Sequence, residues 1–183
     1  REIIYNRRNE ILDSEDIHGR ILETFNNAIE DLVSSHIPPE GYLTTHDYEE
    51  ICEYVNTNYL KSKLLKLDDI VNKKDAEVVS IIGQKVNEDY EKKIINMPAE
   101  ARNEFEKAIS LRTIDTSWLE HINTMEHIRE GINLRSWSGS NPLQAYTLEG
   151  FDAFEKMMSE IDSKISILLL KIEIRTNIER KQT

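Results

Sequence analysis

The chain has 183 residues, 39% of them hydrophobic, and a formal net charge of −11 from 34 acidic and 23 basic side chains. That length supports one or two domains with a real core. No clustered Lys/Arg stripe is present to displace phosphate counterions, which speaks against nucleic acid as a partner, and the longest apolar run, Ile165 to Ile172, is broken by Ser166 and Lys171, too short for a membrane span.

Helical periodicity runs through almost the whole chain. The opening segment carries Ile3, Ile4, Ile11 and Leu12; it starts at an arginine, with no initiating methionine and no signal-peptide layout, and reads as part of something longer. Ser14 is the expected cap of a second helix with Ile17, Ile21, Phe25, Ile29, Leu32 and Val33 on one face, ended by Pro38-Pro39. After Gly41, Thr45 is the expected cap of a third, carrying Tyr48, Ile51, Cys52, Val55 and Tyr59. Leu64, Leu65, Leu67, Ile70 and Val71 form a denser patch, a short helix and its turn. Beyond Asp75 a further helix carries Val78, Val79, Ile82, Val86, Tyr90 and Ile94 and stops near Met97. No alternating Val/Ile/Thr run marks a strand, so the fold class is all-α, with about six helices.

The most informative stretch is Ile114 to Phe154, which reads as an antiparallel two-helix hairpin. Pro98 suits the first turn of its first helix, which continues to about Leu134, a rod of roughly 55 Å. The expected apolar stripe is Ile109, Trp118, Ile122, Met125, Ile128 and Ile132 on the first helix. On the second it is Leu143, Tyr146, Phe151, Phe154, Met158, Ile161, Ile165 and Leu168. Between them, Ser136-Trp137-Ser138-Gly139-Ser140-Asn141-Pro142 is rich in helix breakers. Gly131 lies inside the first helix at a cost of about 1 kcal/mol relative to alanine, a cost that close packing or flexibility would each explain. The proximal end of so long a hairpin needs covering, and the helix beginning at Arg1 is the candidate.

Charge is uneven along the chain. Residues 14–100 hold 18 acidic and 9 basic side chains, whereas residues 101–183 hold 13 and 11. The acidic middle reads as a solvated face. The single cysteine, Cys52, cannot form an internal disulfide and reads as a small buried residue.

Catalytic patterns are missing. His121 and His127 stand six apart, on nearly opposite helix faces, and cannot share a metal. His121 neighbours Asp115, Ser117 and Glu120, a set compatible with acid–base chemistry but more simply explained by a histidine that bonds across helices. The glycines are scattered, with no G-x-x-x-x-G-K-[ST] phosphate cradle. A helical-bundle enzyme would need convergent ligands that the sequence does not supply, whereas an α-helical adaptor or interaction scaffold would account for the stripes and the acidic surface.

Several residues carry a resemblance. Asp115, Trp118 and His121, then Met125, Arg129-Glu130-Gly131-Ile132, Leu134-Arg135, Asn141-Pro142-Leu143, Tyr146 and Glu149-Gly150-Phe151 resemble the signature of SecA, the motor subunit of the bacterial preprotein translocase. Ile4-Tyr5, Arg8-Asn9-Glu10 and Leu12-Asp13 are similar to the end of that family's long scaffold helix. The resemblance implies three parts: residues 1–13 ending the scaffold helix, 14–97 forming the helical wing domain, and 98–183 forming helical scaffold and two-helix finger.

It further implies that the parent hydrolyses ATP with Mg in motor domains preceding Arg1, while this stretch holds no cofactor, metal or catalytic residue. The implied partners are the SecY channel complex, the translocating preprotein and those motor domains. The implied location is cytoplasmic, against the inner face of a bacterial membrane. Arg135, Ser136, Trp137, Ser138, Gly139, Ser140, Asn141 and Pro142 would meet the polypeptide and channel, with Trp137 where a tip tyrosine is usual. The ring could instead fold back onto the hairpin. Asp115, Trp118, His121, Arg129, Gly131, Tyr146 and Phe151 would be structural. The tip departs from the family pattern: Ser136-Trp137-Ser138-Gly139-Ser140 replaces a more basic run, and Ala145 and Thr147-Leu148 replace charged residues. These changes suit a specialised accessory SecA better than a housekeeping one.

Overall fold

Seven α-helices follow one another in the computed structural model, which describes residues 1–135, 139 and 141–174; no strand occurs among them. They are α1 (Glu2–Asp13), α2 (His18–Ser35), α3 (Thr45–Asn58), α4 (Leu67–Ile70), α5 (Asp75–Ile94), α6 (Ala99–Arg135) and α7 (Pro142–Lys171). The all-α expectation holds, with the dense leucine patch contributing the one-turn α4.

Two expected caps move. Ser14 ends α1 instead of starting α2: its amide and hydroxyl both return to Glu10 O, at 3.2 and 2.5 Å. The start of α2 is held from outside the helix, where Asp16 Oδ1 accepts from His18 N and Asn103 Oδ1 from Ile17 N. The cap of α3 is Thr44, one residue before the expected Thr45. Its hydroxyl accepts from Asp47 N while Asp47 Oδ2 accepts from Thr44 N, so two orphan amides are satisfied reciprocally. Pro98 precedes α6, its carbonyl accepting the first intrahelical bond from Arg102 N.

Helix α5 buries Val78, Ile82, Val86, Tyr90 and Ile94 along one face, and α2 buries Ile21, Phe25, Ala28, Ile29 and Val33 against it and against α7. Asn56 ties α3 to the next segment by donating to Leu65 O and accepting from Leu65 N, at 2.7 and 3.0 Å. Cys52 is half-buried, its thiol donating to the same Leu65 carbonyl at 3.3 Å, and burial pushes the thiol up from its ordinary value.

Helices α6 and α7 form the most extensive pair, an antiparallel hairpin, but not on the stripes expected from hydrophobicity. The buried positions of α6 are Glu106, Ser110, Thr113, Ile114, Ser117, His121 and Ile132, whereas Ile122 is exposed and Ile109, Trp118, Met125 and Ile128 are only partly covered. Small hydroxyl residues let α7 come close, and there Met157, Ile161, Ile165, Leu169 and Leu170 supply the apolar bulk. Met157 and Leu169 thus replace the expected Met158 and Leu168. The continuous core reaches Trp118 on α6 and Phe154 on α7 and stops. Beyond it Leu134, Leu143, Leu148 and Phe151 are exposed, because the described residues put no third helix beside the hairpin there.

Candidate functional site

The hairpin is the element with most to explain, and its base is tied to α1 by charge and by a row of rings in contact. Arg8 donates to both carboxylate oxygens of Asp115, at 2.8 and 3.4 Å, and Arg7 donates to Asp162 of α7 at 2.5 Å in a half-buried pair. Tyr5 meets Trp118 edge-on at 6.4 Å, Trp118 lies 5.4 Å from His121, and His121 meets Phe154 edge-on at 5.8 Å. This row of four rings crosses α1, α6 and α7. Burial lowers the His121 pKa, which favours a neutral ring suited to such packing. No acid–base set forms around it: Asp115 pairs with Arg8, Glu120 pairs with Lys164, and the Ser117 hydroxyl is buried without a hydrogen-bond partner. His121 bridges two helices through its ring faces and edges, not through a carboxylate. His127 is exposed on the far side of α6.

Farther out, one close approach sets the spacing of the two helices. A Cβ added to Gly150 would meet Met125 Cε at 2.8 Å, whereas one added to Gly131 would meet nothing within 4 Å. Close packing therefore explains Gly150 and not Gly131. Arg129 pairs with Glu126 on its own helix, Tyr146 is half-buried, and Phe151 is 62% exposed.

Near the tip, Arg135 bridges the hairpin, Nη2 to Glu149 Oε1 at 2.7 Å. Asn141 caps α7 by accepting from Leu143 N and Gln144 N, and Pro142 occupies the first helical position, where its missing N–H costs nothing. Gly139 has φ +83°, a backbone that favours glycine. Ser136, Trp137, Ser138 and Ser140 lie outside the described residues, and the expectation that Trp137 meets a polypeptide lies there with them.

A protein-family model described as the SecA wing and scaffold domain matches residues 1–173. The chain belongs to that family.

SecA membership connects this hairpin to SecA-type protein translocation and accounts for the two separated runs of matching residues: Arg8 from the first and Asp115 from the second are ion partners. The matched domain is wing and scaffold. Among the described residues of this SecA domain, no group of three or more His, Cys, Asp or Glu is placed to hold a metal. No helix is long and apolar enough to cross a membrane. The sequence pointed to neither Arg7, Asp162 nor Lys164, and set Glu120 beside His121 instead of pairing it with Lys164; these residues fasten α1 and α7 to their neighbours. Their only local signal was amphipathic placement, because their partners stand far away in the chain.

Proposed function

We propose that this SecA domain serves as the scaffold and polypeptide-contacting finger of an ATP-driven translocase, coupling motor domains to export through the SecY channel. Residues 1–13 end a scaffold helix, 14–97 form the wing, and 98–183 form scaffold and finger. The observation that carries the reading is the contrast along one hairpin. Its base is locked by rings and ion pairs, and its outer part extends past the core with apolar side chains uncovered. Packed helices do not compress, so a displacement imposed at the base reaches the tip undiminished.

The register of α1 supports the scaffold assignment. Leu12 O accepts from Lys107, Arg8 meets Asp115, and Tyr5 meets Trp118, so α1 runs antiparallel to α6. A helix continued upstream of Glu2 on that line would pass the exposed Leu119 and Ile122. An aromatic tip residue, Trp137, offers apolar contact to any passing sequence with little side-chain entropy to lose. The tip's low content of basic residues favours an accessory translocase with a narrow set of exported substrates. It works at the inner face of a bacterial membrane, with ATP and Mg bound by its motor domains.

In the intact translocase, Trp137→Gly is expected to reduce the amount of preprotein transported per unit time. Transport at the unaltered rate would contradict the finger assignment. Expression in a strain depleted of its general SecA tests the accessory role: failure to restore growth is expected, and full rescue would refute it.

A further inference from the structure

Where α2, α5 and α6 meet, six polar side chains from distant parts of the chain converge. His18, the first residue of α2, points Nδ1 at both carboxylate oxygens of Glu106 on α6, each 3.1 Å away, and Nε2 at Glu91 Oε1 on α5, 2.6 Å away. Glu106 is fully buried and also has Arg102 Nε 3.1 Å from Oε1. Arg102 reaches on to Asp16 at 2.6 Å, and Asp16 accepts from the His18 amide. Tyr90 of α5 stacks on the His18 ring at 6.1 Å, its hydroxyl buried without a hydrogen-bond partner. Both imidazole nitrogens thus face carboxylates. A neutral imidazole carries one N–H and would present a lone pair to the second carboxylate, so with both glutamates ionised this arrangement calls for the imidazolium.

We propose that His18 is a proton-operated latch between α5 and α6. As an imidazolium it donates from Nδ1 to Glu106 and from Nε2 to Glu91. On giving one proton to solvent it keeps Nδ1–H for Glu106 and releases Glu91. The order follows from burial: Glu106 has no water to turn to, whereas the Glu91 side chain is half-exposed and can be hydrated. The loosened segment is the last turn of α5 and the Ile95–Pro98 connection into α6, which the buried Ile94 and the Lys93 bond to Leu169 O still tether. Phe25, edge-on to Tyr90 at 5.0 Å, and the buried Val86 still hold the rest of α5.

Burial opposes the charge on His18, but its hydrogen bonds to Glu91 and Glu106 outweigh it and carry its pKa above the ordinary 6.5. The folded chain therefore binds this proton more tightly than the unfolded one. The latch contribution is complete below about pH 6.5 and is lost as pH rises through the raised value. Burial raises Glu106 from its ordinary 4.5, against the pull of His18 and Arg102, so its window moves up toward that of the imidazole. Asp16 moves the other way, held down first by the His18 amide.

The test is a pH titration of the 183-residue chain labelled with ¹⁵N-histidine, followed by NMR, with amide hydrogen exchange in parallel. The latch predicts both His18 ring nitrogens protonated below about pH 6.5 and a midpoint above the ordinary 6.5. Protection factors for amides of residues 86–94 should fall about two- to fivefold above that midpoint, the range a half-exposed ion pair supplies. Glu91→Gln should lower the His18 midpoint and His18→Gln should abolish the exchange step; should the latter fail to fold, the first variant and the unaltered chain still decide. A His18 midpoint at or below the ordinary 6.5, or protection unchanged across it, would overturn the proposal.

Discussion

At Gly150 and Gly131 two glycines on the facing helices of the hairpin meet opposite surroundings. Alanine at 131 enters open space, so Gly131→Ala should gain the helix-propensity difference, about 0.5–1 kcal/mol, in urea unfolding. Alanine at 150 gains the same propensity but must displace the Met125 methyl, so its stability should fall short of Gly131→Ala; equal gains at both sites would contradict the close approach. Lys93 gives a pH signature at the same scale. Its ammonium donates to Leu169 O, and burial lowers its pKa to about 8. The folded chain thus binds fewer protons than the unfolded one between about pH 8 and the ordinary 10.5, and this group's contribution to stability rises with pH across that window. The difference in Tm between the chain and Lys93→Met should change over those pH values and stay flat below them.

Which elements were legible depended on what their buried faces are made of. Helix α5 repeats an apolar residue every four positions from Val78 to Ile94, and all five are buried, so periodicity alone was enough. Helix α6 misled because its buried face is Glu106, Ser110, Thr113 and Ser117, which a hydrophobic reading assigns to water. Ser14 misled because a hydroxyl can satisfy the end of one helix as readily as the start of the next. Trp118–His121 aside, the ring row and the ion pairs at the hairpin base join residues about 30 to 155 apart, and no local pattern announces such partners. Their energetics can be checked separately. Trp118→Ala should cost about 2 kcal/mol, since the ring is partly covered, and should speed proteolytic cleavage near residues 14–17 as α1 loosens. Unchanged cleavage would mean that the rings do not hold α1.

Across the whole molecule, one core gathers side chains from α1 to α7 and then ends, leaving the outer hairpin as a projection whose stability is its own. Replacing residues 122–150 by a short Gly/Ser turn should leave cooperative urea unfolding of the remainder, because the core takes none of the described residues of that segment and Ile132, though buried, stands outside the core. Loss of cooperativity would mean that the projection is structurally coupled to the core. A lever fixed at one end and free at the other suits the polypeptide-contacting role proposed for this SecA domain. Site-specific crosslinking tests that role most directly. Cys52 is replaced, Trp137→Cys is introduced into the full-length parent, and a stalled, partly translocated polypeptide is presented, with a cysteine at Tyr42, exposed between α2 and α3, as control. The account predicts a crosslink at 137 that depends on ATP and substrate and is absent at 42. No crosslink at 137 in an assembled, active complex would contradict it.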